Sequence, residues 1–185
     1  NIKLCSLDRF FLPHGFLLYL NLMLITMVMG LLMSLPFTFI FYGMLMVGFL
    51  LALLACRFVF PDAELKSEVV SGLILMGAAL LMLLTKTQVS VFYLSPLLIG
   101  MGIGIIGARF LLFFIKLSRH CQRGTSQSMY MLGWETGICI GLLVGYNVRA
   151  YNHEAVLYVA FGAVVVALLM YHGLTHQWFL AHKNR

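Results

Sequence analysis

The chain has 185 residues, of which 62% are hydrophobic and 10% are charged, and its mean hydropathy is +1.00. Soluble domains carry about 25% charged residues, so this composition excludes an ordinary soluble globular protein. The net charge of +6 comes from basic residues in small groups between long apolar runs. This distribution favours membrane phosphates over nucleic acid as the anionic partner, and we expect no binding to DNA or RNA.

Six apolar runs are each long enough to cross a bilayer as a helix, which requires about 20 residues. In chain order, the predicted spans are 11–35, 38–60, 69–85, 91–117, 125–147 and 155–179. The first two are separated at Ser34-Leu35-Pro36, because proline disfavours helical geometry at the residue before it. Short polar segments separate the others. We therefore predict an all-α integral membrane protein with one six-helix transmembrane bundle over residues 1–185.

Eleven basic residues in the loops, at the termini and at the ends of the spans predict the orientation of the bundle. If both termini are cytoplasmic, nine of these residues lie inside and two, Lys86 and Arg149, lie outside. The nine inner residues are Lys3, Arg9, Arg57, Lys66, Lys116, Arg119, Arg123, Lys183 and Arg185. Because cytoplasmic loops carry an excess of Lys and Arg, we expect cytoplasmic termini and cytoplasmic loops at 61–68 and 118–124.

Two ionisable residues predicted to lie at membrane depth, Arg109 and Glu135, are the first candidates for a functional site. A charge in the membrane usually faces a partner or a wet cavity. The two are at similar depth, so one interpretation is a structural ion pair between the fourth and fifth helices. The other is a carboxylate that binds substrate or couples proton movement. Asn21 is a third candidate at mid-depth, either as a hydrogen bond between helices or as a substrate contact.

Other polar and small residues are weaker candidates. The possible cavity-lining residues are Thr26, Tyr130, Trp134 and Thr136. In the fifth span, glycine recurs every four residues, at Gly133, Gly137, Gly141 and Gly145. Such a stripe lets another helix pack closely. The third span has only Ser71 as a polar residue before Thr85, which predicts a peripheral, lipid-facing helix.

The sequence gives little support for an enzyme. His172 and His176 have helical metal-ligand spacing, but no third ligand lies nearby in the sequence, so we predict no metal site. No pair of carboxylates, metal-ligand set or activated nucleophile can be assembled. We expect neither catalysis nor a cofactor.

The segment before the fifth span and the span itself resemble the cytoplasmic loop and penultimate helix of major facilitator superfamily transporters, most nearly the bacterial drug and sugar efflux type. The residues that carry the resemblance are Arg123-Gly124-Thr125-Ser126-Gln127-Ser128, Gly133-Trp134-Glu135-Thr136-Gly137, Gly141 and Gly145. The resemblance implies the C-terminal half of a twelve-helix fold, with six helices arranged as two inverted three-helix repeats. It also implies a location in the bacterial cytoplasmic membrane.

The resulting expectation is half of a secondary transporter that moves a small solute by alternating access, coupled to protons. Its partners would be the solute, the proton, membrane lipid and a second six-helix half, supplied by the same parent chain or by dimerisation. The alternative is a non-transporting membrane assembly or scaffold protein in which Arg109 and Glu135 form a structural pair.

Overall fold

In the computed structural model, the described residues are 15–58, 64–85, 87–119, 121 and 123–182, and their regular secondary structure is entirely helical. The first five helices are α1 (Phe16–Met33), α2 (Phe39–Phe58), α3 (Leu65–Thr85), α4 (Val89–Leu117) and α5 (Arg123–Arg149). The sixth consists of α6 (His153–Met170), a π-helical turn (Tyr171–Thr175) and α7 (His176–His182). Each of the six is long and apolar enough to cross a membrane. The prediction of six helices that could span a membrane is therefore confirmed, and these helices support a multi-pass membrane protein.

The predicted boundaries are close to those of the structure, with one informative difference. The third helix begins at Leu65 instead of residue 69, because Lys66 and Glu68 are helical and are not part of the preceding loop. Several sequence predictions fall outside the described residues. They concern residues 11–14 and 59–60 of the first two spans and the basic residues Lys3, Arg9, Lys86, Lys183 and Arg185.

Local signals explain where helices stop and start. α1 ends at Met33, and the backbone N–H of Ser34 donates to the carbonyls of Gly30 and Leu31 before the chain reaches Pro36. The α6 helix begins after Asn152, whose side-chain oxygen accepts a 3.0 Å hydrogen bond from the backbone N–H of Glu154. Asparagine is a favoured residue at this position because it satisfies one of the free amide groups of the first turn.

The bundle is arranged around α1 and α4, the two most buried helices. α1 packs mainly against α5 and also against α6, whereas α4 packs mainly against α2 and α3. α3 and α6 also meet, but α2 and α3 hardly touch each other. α3 is buried over a larger share of its length than α2 or α5, although Ile74 and Leu81 on its outer face are exposed.

An aromatic cluster closes the end of the bundle where α4 stops. The Phe113 ring lies 4.6 Å from that of Phe179 and stacks with Tyr171 at 6.2 Å. Phe110, Phe113, Tyr171 and Phe179 are almost completely buried. These rings attach the sixth helix to α4 across the π-helical turn.

Candidate functional site

Arg109 on α4 forms a buried ion pair with Glu68 on α3. Its Nη2 atom donates a 2.9 Å hydrogen bond to Glu68 Oε1, and its Nε atom contacts Glu68 Oε2. The side chains of Arg109 and Glu68 are only 16% and 8% exposed. The proposed pair between Arg109 and Glu135 is therefore wrong. Glu68 was assigned to a loop in the sequence analysis, and this assignment hid the true partner.

Cys56 on α2 completes a polar cluster with this ion pair. The half-buried Cys56 thiol lines the same groove as Glu68 and is close enough to both charges of the pair to interact with them electrostatically. The cluster thus joins one side chain from each of α2, α3 and α4. Neither Cys56 nor Glu68 was a candidate from sequence, although both lie within one turn of a charged residue at a span boundary, Arg57 and Lys66 respectively.

Glu135 lies on the outward face of α5 and is exposed. At about 1.5 Å per residue, it is about 18 Å along the helix from Arg123 and about 21 Å from Arg149. It is therefore close to the middle of its helix. Among the described residues, Glu135 has no ion-pair partner. Its near neighbours on the same face include Gln127 and Ser128.

The glycine stripe of α5 lies on the side opposite Glu135, against α1. A Cβ atom at Gly133 would lie 2.9 Å from the Leu22 side chain, and one at Gly141 would lie 2.8 Å from the Gly30 Cα atom. Gly137 and Gly145 meet α1 in the same way, through Thr26 and Ser34. Two residues correspond to about 200° of helical rotation. Glu135 therefore points away from α1 when Gly133 and Gly137 face it.

A second interface of small residues joins α2 to α4. Gly48 on α2 lies against the backbone of Leu97, and Gly100 on α4 lies against the backbone of Leu45. A Cβ atom at Gly104 would lie 2.7 Å from the Ala52 side chain. Both of the largest helix interfaces in the bundle therefore depend on close backbone contact.

Tyr130 and Trp134 face α4 at Gly107, where the absence of a side chain leaves space for both rings. The Tyr130 hydroxyl donates a 2.9 Å hydrogen bond to the Gly107 carbonyl, and the Trp134 ring packs on the same glycine. The two rings form an edge-to-face pair at 6.3 Å. The buried Trp134 Nε1 atom has no hydrogen-bond partner among the described residues.

The remaining predicted polar residues make contacts between helices. Asn21 Nδ2 donates to the Ala167 carbonyl of α6 at 3.2 Å, while its buried Oδ1 atom has no described partner. The Thr26 hydroxyl is within 3.3 Å of the Gly133 carbonyl, and Thr136 accepts a 3.0 Å hydrogen bond from the Tyr19 hydroxyl. Asn21 and Thr26 are buried inside the bundle, whereas Glu135 is on its outer surface. The structure does not bring the site candidates together in one cavity.

No group of three potential His, Cys, Asp or Glu metal ligands occurs in the part of the chain that the structure describes. His172 is exposed, whereas His176 is buried and its Nδ1 atom lies 2.9 Å from the Tyr171 hydroxyl. His172 lies within the π-helical turn, and His176 follows directly after it. No protein-family model, curated protein or solved structure matches the chain significantly.

Proposed function

We propose that the chain is one six-helix half of a proton-coupled secondary transporter, with Glu135 as the residue that couples proton and solute movement. The observation that carries the proposal is an exposed carboxylate without a described ion-pair partner at the middle of a membrane helix. By insertion scales, an acidic residue at the centre of a membrane helix costs about 2.5–3.5 kcal/mol. A polar cavity or a protein partner beside this face of α5 would remove that cost.

The outward face of α2 is a useful contrast. Its exposed residues between Phe39 and Leu54 include no ionisable side chain, so this face is suited to lipid or to an apolar helix. On α5, Gln127, Ser128 and Glu135 lie along one face. This difference between two similarly exposed helices supports a wet surface at α5.

The pattern of helix contacts supports an inverted-repeat plan of the major facilitator type. Suppose that α1 corresponds to α4, α2 to α5, and α3 to the sixth helix. The interface of α1 with α5 then corresponds to the interface of α4 with α2. In the same way, the contact of α1 with α6 corresponds to that of α4 with α3. Consecutive transmembrane helices alternate in direction, so such units have opposite orientations, as in many transporters. The second six-helix half would come from the same parent chain or from a second copy.

The native Cys139 provides a direct test, because it is exposed one helical turn beyond Glu135 on α5. In a background with Cys5, Cys56 and Cys121 replaced by serine, a charged, membrane-impermeant maleimide should label Cys139 from each side of the membrane. The matched control carries Ile74→Cys and Cys139→Ser. Ile74 is exposed at the middle of α3, where we expect lipid and slow labelling. Equally slow labelling of both positions would place α5 in lipid and overturn the proposal.

Proton coupling requires a further comparison in the same system. A maleimide reacts with the thiolate, so every labelling rate rises with pH. The quantity compared is therefore the ratio of the Cys139 labelling rate in the wild-type background to that in Glu135→Gln, and this ratio should change with pH. Glutamine retains the size and hydrogen-bonding capacity of glutamate but cannot change charge. Glu154→Gln, at the exposed start of α6, is the matched control and should behave as wild type. A ratio that is the same at every pH removes Glu135 from the coupling mechanism.

A membrane assembly or scaffold protein is the second candidate. The observation that favours it is that Asn21, Thr26 and Arg109 all make contacts within the bundle. In that case Glu135 would bind a cationic or hydrogen-bonding group of a partner protein. Cys139 would then be protected from the maleimide on both sides when the partner is bound and would become reactive after its removal.

A further inference from the structure

A groove of about 370 Å³ lies between α2 and α3, with α4 as its floor. α2 contributes Cys56, α3 contributes Ser67, Glu68 and Ser71, and α4 contributes Met101 and Ile105. The walls are largely apolar, and the polar groups lie toward the end of the bundle where α2 stops and α3 starts. The groove is on a different side of the bundle from α5 and is not needed for the coupling role of Glu135.

The groove exists because α2 and α3 both pack on α4 and hardly touch each other. Small-residue contacts, such as Gly104 against Ala52, hold α2 to α4. The buried pair of Arg109 and Glu68 holds α3 to α4. The two helices therefore form the sides of a V, and no described side chain fills the space between them.

An apolar space of this size is not suited to water. A water molecule occupies about 30 Å³ in the liquid and needs two to four polar partners, and most of this groove offers none. Because the groove lies between two helices that are long enough to cross a membrane, the available apolar occupant is a lipid acyl chain. The serine hydroxyls of Ser67 and Ser71 provide hydrogen-bonding groups for the polar end of such a molecule.

Charge at the mouth of the groove selects the type of head group. Arg57 follows Cys56 in the last turn of α2, and Lys66 precedes Ser67 in the first turn of α3. The carboxylate of Glu68 is already paired with Arg109, so Glu64 is the remaining described acidic residue near the mouth. Lys116, Arg119 and Arg123 add positive charge at the same end of the bundle. Basic pockets between transmembrane helices are suited to anionic lipid head groups.

We propose that this groove is a binding site for an anionic phospholipid, whose head group contacts Arg57 and Lys66 and whose acyl chain lies between α2 and α3. The proposal requires membrane insertion of the six helices and is independent of transport.

Cys56 reports occupancy of the groove, and Cys139 on α5 is an internal control. With Cys5 and Cys121 replaced by serine, the protein is placed in nanodiscs of phosphatidylcholine alone or with phosphatidylglycerol, and alkylation by neutral N-ethylmaleimide is followed at both thiols. Phosphatidylglycerol should slow alkylation of Cys56 and leave that of Cys139 unchanged. An equal rate at Cys56 in both bilayers, or equal slowing at both thiols, overturns the proposal.

The second arm removes the basic residues at the mouth. Arg57→Gln and Lys66→Gln should each weaken the preference for phosphatidylglycerol by about fivefold, the usual contribution of one basic side chain at an anionic membrane surface. Native mass spectrometry of the phosphatidylglycerol retained by each variant provides the measurement. Arg149→Gln, at the opposite end of the bundle, is the matched control and should retain wild-type binding. Wild-type retention by the variant that lacks both Arg57 and Lys66 also overturns the proposal, provided that its melting temperature is unchanged.

Discussion

Removing either member of the pair formed by Arg109 and Glu68 should destabilise the bundle. Loss of one partner leaves the other charge buried without compensation, and for well-buried pairs this costs about 3–5 kcal/mol. Because the Arg109 side chain is still 16% exposed and can reach some water, we expect about 3 kcal/mol for Glu68→Gln. Arg109→Gln should cost more, about 4 kcal/mol, because the Glu68 carboxylate is the more buried partner.

The double variant distinguishes a specific pair from two independent effects. If the charges compensate each other, combining Glu68→Gln with Arg109→Gln should recover at least 1 kcal/mol relative to the sum of the single changes, within the usual range of coupling between contacting residues of about 0.5–3 kcal/mol. Equilibrium unfolding in mixed detergent micelles gives the free energies.

Glu135→Gln is the matched control for these variants. It removes the same type of charge from an exposed site without a described ion-pair partner, so the free energy of unfolding should change by less than about 0.5 kcal/mol. Additive single changes at residues 68 and 109, or a Glu135→Gln variant as unstable as Glu68→Gln, would refute the reasoning.

Two further predictions concern packing and topology. Gly141→Leu should destabilise the bundle by about 3 kcal/mol, because a side chain at residue 141 meets the α1 backbone near Gly30, which cannot move aside. Leu142→Ile nearly conserves volume and is its control in the same unfolding assay; equal stability of the two variants would mean that α1 and α5 are not in close contact. Leu65→Cys, in a background without native cysteines, should resist an impermeant thiol reagent added outside intact cells and react after permeabilisation, because basic residues concentrate at this end of the bundle. Ready labelling of position 65 from outside intact cells would mean that the orientation is the opposite of the predicted one.

Hydropathy was sufficient to predict the six helices because each apolar run is long enough to cross a membrane, a length that a core helix of a soluble protein does not need. It was less reliable at the start of α3. Lys66 and Glu68 gave that segment the composition of a loop, although the Glu68 charge is neutralised inside the bundle by a residue 41 positions later in the chain. A hydropathy profile indicates how deep each residue lies along its own helix, but it does not indicate which helix lies beside that residue. Arg109 was consequently matched with Glu135, an acidic residue at similar depth but on the outer surface.

Angular position around a single helix could be predicted more accurately than contacts between helices. The separation of Glu135 from Gly133 and Gly137 by two residues predicts that they occupy different faces, and the structure has the glycines against α1 and the carboxylate outward. In contrast, nothing in the sequence indicated that Asn21 would meet the carbonyl of Ala167. That contact depends on which helix lies beside α1, a property of the whole bundle. The π-helical turn at Tyr171–Thr175 was likewise not predicted.

The pairing of α1 with α5 has a consequence for biosynthesis. Gly30 emerges from the ribosome 111 residues before Gly141, which it contacts. At about 5–20 residues per second, α1 must therefore wait about 6–22 seconds for its main partner. Glu68 similarly precedes Arg109 by 41 residues, or about 2–8 seconds at the same rate. During these intervals the membrane-insertion machinery or a chaperone must shield the α1 backbone at Gly30 and the unpaired Glu68 carboxylate. Translational pausing before α5 would therefore lengthen the time for which α1 lacks its main partner.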